Sequence, residues 1–117
     1  MVRIVSELPA VREDEFQRQV MQLLSLHGWH VCHVPTRAVM RNGCVAYETP
    51  YDGDGGLPDL ICARDGKVVL VELKTEKGKL RVSQTDWLQA SGGLLWRPSD
   101  WPMIERFAKE GIRDDIR

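Results

Sequence analysis

The stretch that most limits how this chain can fold is LPDLICARDGKVVLVELK, residues 57–74. Two apolar, β-branched-rich runs flank Asp65-Gly66, a dipeptide suited to the left-handed conformations of a two-residue hairpin turn. Folding there sets Asp59, about six residues before the turn, opposite Glu72, about six after it. In the second run Val69, Val71 and Leu73 point one way, and Val68, Leu70, Glu72 and Lys74 the other. Both faces are apolar until the last three residues, which predicts a central strand covered on both sides. Period two also puts Glu72 and Lys74 on one face. Two carboxylates and an ammonium therefore gather at one edge of an otherwise apolar sheet.

Carboxylates forced together repel, and one takes up a proton unless a cation intervenes. Hard oxygen donors suit Mg²⁺ or Mn²⁺. Asp59 and Glu72 are the candidate ligands, and the backbone carbonyl of Leu73, between Glu72 and Lys74, is a plausible further one. Lys74 is placed to orient a water or to stabilise negative charge developing on a phosphate. Together these groups are the equipment for metal-assisted phosphodiester hydrolysis. A surface salt bridge at a strand end is the plainer reading of D…ExK. Gly55-Gly56, Pro58 and the apolar run leading into the ExK argue against it.

Around this hairpin the elements follow from periodicity and punctuation. Phe16, Val20, Leu23, Leu24 and His27 recur at helical spacing, with Glu13, Asp14 and Glu15 in the first turn and Gly28 beyond the end, predicting a helix over about 11–27. WHVCHVP (29–35) reads as a strand. Segment 36–56 reads as a long, solvated loop, with a short hairpin possible at Arg41-Asn42-Gly43. Its Tyr47 and Tyr51 are candidates for stacking on a splayed base. SQTDWLQA (83–90) reads as a helix capped by Ser83, LLWRP (94–98) as a short strand, and about 100–110 as a last helix capped by Ser99. The expected fold class is α/β, a central mixed sheet flanked by helices in the order α-β-β-β-α-β-α.

The length of 117 residues predicts a single domain. Sixteen Lys and Arg stand against 17 Asp and Glu, which removes the simplest sign of a nucleic-acid binder, a strongly basic domain. Basic charge is local instead: residues 64–81 hold six basic and three acidic side chains. Lys77, Lys79 and Arg81 follow the ExK directly and are the leading candidates for phosphate contact, with Arg37 and Arg41 behind them. No apolar run approaches the roughly 20 residues needed to span a bilayer, and MVRIVSELPAVRED lacks the apolar core of a signal peptide. A cytoplasmic protein without membrane partner or small organic cofactor is expected. Cys32, Cys44 and Cys62 fit no zinc spacing and are expected as reduced, mostly buried thiols. His27, His30 and His33 straddle Gly28 and do not form a joint metal box.

Gly56-Leu57-Pro58-Asp59, Glu72-Leu73-Lys74, Gln84 and Trp87, in this order, resemble the VRR-nuclease family of the PD-(D/E)xK superfamily. Glu13-x-x-Phe16-Gln17, His27-Gly28-Trp29 and Trp96-Arg97-Pro98 match its first helix, the following turn and its last core strand, extending the resemblance over about 12–107. The resemblance implies a restriction-endonuclease-like fold and a metal-dependent DNA endonuclease. Asp59 and Glu72 would be metal ligands, Lys74 the catalytic lysine, Glu13 the first-helix acid that faces the site and a further metal ligand (with Glu15 as runner-up), and Gln84 a supporting polar residue. Stand-alone members of this size look like phage or bacterial proteins, similar to Holliday-junction resolvases. Branched DNA as substrate, duplex DNA as a further partner and a homodimer are expected on that ground. Two other readings remain: a catalytically weak DNA-binding or assembly module of the same fold, and a nuclease acting on single strands or RNA.

Overall fold

The computed structural model describes residues 12–35, 37–48 and 50–112. Helix α1 (Glu13–Leu26) leads into β1 (His30–His33), then β2 (Arg37–Arg41), β3 (Cys44–Glu48), β4 (Leu60–Arg64) and β5 (Lys67–Leu73). Helix α2 (Val82–Ser91), β6 (Leu94–Trp96), one 3-10 turn (Pro98–Asp100) and α3 (Trp101–Glu110) follow. The main sheet has the order β1-β4-β5-β6. Its first three strands are antiparallel, and β6 returns parallel to β5 after the α2 crossover. The result is an α/β fold with a mixed sheet flanked by helices.

The register of the central hairpin is the expected one. Arg64 pairs with Lys67 across Asp65-Gly66, whose φ values of 53° and 78° are both in the left-handed region. Leu60, Cys62, Val69, Val71, Leu73 and Trp96 are buried on one face of the sheet, where Phe16, Val20 and Leu24 of α1 and Ile104, Phe107 and Ala108 of α3 complete the core. Phe107 stacks on Trp29 at 4.9 Å between centroids and meets Trp96 edge-on at 5.1 Å.

Several expectations change. The opposite face of β5 is covered only in part: Val68 is 65% exposed while Glu72 is 1% exposed. The ten-residue α2 is too short to roof the whole strand and sits over its C-terminal end. Segment 36–56 is more than a loop, since β2 and β3 pair as a separate two-stranded sheet around Asn42-Gly43. The element order therefore gains two strands over α-β-β-β-α-β-α, while the main-sheet strands and helices follow that order. Of the cysteines only Cys62 is buried, and burial pushes its thiol up to about 12. Cys32 and Cys44 are exposed: one alternates to the sparsely covered sheet face, and the other lies on the separate hairpin. Neither serine caps its helix. Val82 opens α2 with Arg81 at the cap position, and Ser99 binds the Glu76 carboxylate through its N–H and hydroxyl.

Arg64 fastens three elements at the end of the sheet away from Asp59. Its guanidinium donates to the carbonyls of His27 after α1 and of Ala108 and Lys109 in α3, and lies 4.8 Å from the centre of the Trp29 ring. These are helix-end carbonyls left over by the helices themselves. Arg64→Ala is expected to destabilise the fold by about 2–4 kcal/mol, because charged hydrogen bonds contribute about 1.5–3 kcal/mol each and are not additive. A urea midpoint within about 0.2 M of the parent would refute that assignment. Among the described residues no helix is long and apolar enough to cross a membrane.

Candidate active site

The antiparallel register that pairs Leu60 with Val71 carries on to bring Asp59 across from Glu72. Each backbone then holds the other strand's carboxylate. The Asp59 N–H donates to Glu72 Oε1 at 3.2 Å, and the Leu73 N–H donates to Asp59 Oδ2 at 2.8 Å. Neighbouring strands pin both positions: Val34 N–H donates to the Asp59 carbonyl at 2.7 Å, and Lys74 N–H to the Trp96 carbonyl at 3.0 Å. In an antiparallel strand a residue turns its N–H and C=O to the same side, so the Leu73 carbonyl oxygen looks toward the edge where Asp59 lies.

Gln84 closes the site from α2. Its Nε2 donates to Glu72 Oε2 at 2.9 Å, and its Oε1 accepts the Arg81 N–H at 2.9 Å. One side chain thus caps its own helix and holds the acid. Lys74 reaches from the same strand face, its Nζ 3.6 Å from Glu72 Oε2. Burial, then repulsion from Asp59, pushes the Glu72 carboxyl from its ordinary 4.5 up to about 8, against the opposing pull of Lys74. Without an added cation, burial and Asp59 thus bias Glu72 toward its neutral form.

The approach to Asp59 depends on Gly56. Its φ is +91°, and a Cβ there would lie 2.6 Å from the Ser83 backbone carbon in the first turn of α2. Around it, Leu57 N–H donates to the Tyr51 hydroxyl at 3.1 Å and the Trp87 indole N–H to the Asp54 carbonyl at 3.2 Å. The segment before Asp59 is laid against α2 rather than free in solvent. Gly56→Ala combines a clash with backbone and an unfavourable φ. It is expected to cost about 2–3 kcal/mol in a denaturant titration, and a cost below about 0.5 kcal/mol would show that the contact is absent.

The segment after Lys74 is also tied down, by a residue that sequence reasoning gave no part in the site. Arg97 Nη1 donates to the carbonyls of Thr75, Glu76 and Gly78 at 2.6, 3.3 and 2.7 Å. Gly78 lies against the Lys74 stem, where a Cβ would come 3.3 Å from Lys74 Cδ. Nothing in the pattern around Trp96-Arg97-Pro98 signals this, because the partners are three carbonyls. For the double role of Gln84 a signal did exist: Gln three residues after a helix cap is half of a capping box.

Asp59, Glu72, Lys74 and Gln84 are thus brought together. Glu13 is not: it is exposed in the first turn of α1, which packs on the sheet face opposite Glu72. Glu15 is exposed in the same turn. Among the described residues no three His, Cys, Asp or Glu side chains group to hold a metal ion. Lys77 and Lys79 are exposed and Arg81 is half-buried on the stretch from Lys74 to α2. Arg41 is exposed on the β2–β3 hairpin; Arg37 opens β2, and its side chain, like that of Tyr47, lies outside the described residues. Two carboxylates and a peptide oxygen are a donor set that fits Mg²⁺, which binds through one or two carboxylates and keeps several waters. No family model, curated protein or solved structure matches this chain.

Proposed function

We propose that the chain is a metal-dependent DNA endonuclease of restriction-endonuclease-like fold, similar to the VRR-nuclease family, hydrolysing phosphodiester bonds with a preference for branched DNA. The observation that carries this reading is the buried Glu72 carboxyl, held against Asp59 with Lys74 and Gln84 beside it. Glu72 is buried and Asp59 and Lys74 are half-buried beside it, an arrangement with little structural reason, because taking charged groups out of water is costly. Perturbed acids grouped with a cation mark functional sites.

In this reading Asp59, Glu72 and the Leu73 carbonyl hold Mg²⁺ or Mn²⁺. When bound, the ion supplies Lewis acidity and lowers the pKa of water. Gln84 keeps Glu72 Oε2 turned into the site. Lys74 offers its ammonium to the attacking water or to a non-bridging phosphate oxygen, and Arg97 fixes the turn that follows it. Lys77, Lys79 and Arg81 contact flanking phosphates, which positions the substrate without reading its sequence. A phage or bacterial protein of the host cytoplasm, acting as a homodimer, belongs to the same proposal.

The test is a panel of labelled four-way junction, flap, duplex, single-stranded DNA and RNA, each incubated with Mg²⁺, Mn²⁺ or EDTA. Cutting of the junction that EDTA abolishes is the expected result. Junction binding without cutting of any substrate overturns the endonuclease and leaves a DNA-binding or assembly module. That Glu13 forms no metal-holding group with Asp59 and Glu72 among the described residues favours that second reading.

A further inference from the structure

Between α2 and the segment that leads to Asp59 lies a cavity that the reading above does not use. It measures about 420 Å³ and is lined by Asp54, Gly55, Ser83, Asp86, Trp87 and Ala90. The α2 members recur at the spacing of one helical face, and Gln84, which holds Glu72, sits between them in sequence. The other wall, Asp54-Gly55, runs on through Gly56 to Asp59 within five residues. The same two segments therefore build the cavity and deliver Asp59 and Gln84 to the site.

The lining selects its occupant by chemistry. The Trp87 indole N–H is committed to the Asp54 carbonyl, so the ring is held as a wall and offers carbon surface. Asp54 and Asp86 are exposed, and among the described residues neither carboxylate has a hydrogen-bond or ion-pair partner. Ionised carboxylates only accept hydrogen bonds. Among the described residues no basic side chain lines the cavity, which disfavours a phosphate. A flat group with apolar faces and donors on its edge fits. The volume lies within the about 300–1,000 Å³ of small-ligand pockets, enough for a single base and too little for a duplex.

We propose that this cavity takes one unpaired nucleobase bearing an amino group, next to the phosphodiester at Glu72 and Lys74. The base stacks on Trp87 and donates from its amino edge to Asp86 and Asp54. Cytosine, adenine and guanine carry such an amino group and thymine does not. The inference rests on the nuclease reading of the adjoining site, and it makes unpaired nucleotides at a branch the recognised feature.

The test uses binding in EDTA, so that no cleavage enters. Fluorescein-labelled hexamers of dC, dA and dT and a blunt duplex are titrated with the full chain and followed by anisotropy. The parent is expected to bind dC and dA hexamers at least about 5-fold more tightly than dT. Asp86→Asn, at an exposed position and neutral to folding, should bring the three within about 2-fold. Trp87→Leu should weaken all three roughly 10-fold, in the range of one base–aromatic stack. Equal affinities for the three hexamers in the parent, or an unchanged preference in Asp86→Asn, overturns the proposal. A chain that keeps the base preference but cuts nothing supports the pocket and refutes the nuclease. A chain that cuts without the preference refutes the pocket alone.

Discussion

Lys74→Ala is expected to lower metal-dependent cleavage by about 10²–10³-fold, the usual loss when one preorganised electrostatic group is removed from a reacting centre. The fold should survive it. Lys74 is the only basic group within 4 Å of the Glu72 carboxylate among the described residues, and removing a cation from a buried ion pair ordinarily leaves a costly orphan charge. Here the orphan need not stay charged, because burial and Asp59 already bias Glu72 toward its neutral form. The variant should therefore keep its far-UV circular dichroism and bind junction DNA within about 3-fold of the parent, with Lys77, Lys79 and Arg81 supplying the phosphate contacts. Lys74→Arg separates charge from shape. A guanidinium keeps the charge but not the compact ammonium, so recovery of less than a tenth of parental turnover is expected. Undiminished turnover in Lys74→Ala would remove the lysine, and with it the proposed chemistry.

The central hairpin was legible in the sequence because its information is local. Asp65-Gly66 sets the turn, the turn sets the register, and the register alone brings Asp59 to Glu72. The amphipathic period of Phe16, Val20 and Leu24 gave α1 to within two residues at either end for the same reason. What was not legible depends on contacts between distant segments. That α2 covers only the Glu72 end of β5 follows from helix length and crossover geometry, and strand alternation carries neither. Arg97 and Arg64 act through backbone carbonyls, which have no side-chain signature. Ser83 looked like a cap by residue type, but the cap position lies two residues earlier, at Arg81, and Gln84 satisfies the Arg81 N–H.

Segment 36–56 shows the limit most plainly. Its glycines and acids read as a solvated loop, and the Asn42-Gly43 hairpin was only a possibility. The structure divides it into two parts with different physics. The β2–β3 hairpin carries Met40 and Val45, a directly paired couple, 68% and 61% exposed. The stretch from Tyr51 to Gly56 is instead fixed on α2 through the close approach of Gly56 to Ser83. That difference decides which acids face α2: Asp54 borders the cavity there, and Asp52 does not line it.

The protonation of Glu72 makes stability itself a readout of the site. Its carboxyl titrates near 8 in the folded chain and near 4.5 when exposed. Between those values the folded state holds a proton that the unfolded state has released, so stability falls as pH rises. The contribution is fully present below about pH 4.5 and lost as the pH passes through about 8. Each pH unit between the folded and unfolded pKa is worth about 1.4 kcal/mol, so the metal-free chain should lose on the order of a few kcal/mol across that window. Glu72→Gln removes the titration and should flatten this part of the curve. Asp59→Asn removes the repulsion but not the burial, and should shrink the loss without abolishing it. A divalent ion replaces the proton, so millimolar Mg²⁺ or Mn²⁺ should raise Tm more at pH 8 than at pH 5, and should not raise it in Glu72→Gln. The decisive comparison is thermal unfolding of parent and Glu72→Gln with metal and with EDTA at the two pH values. A metal-induced change in Tm of the same size in both proteins would place the ion elsewhere and leave the buried acid pair as a structural feature.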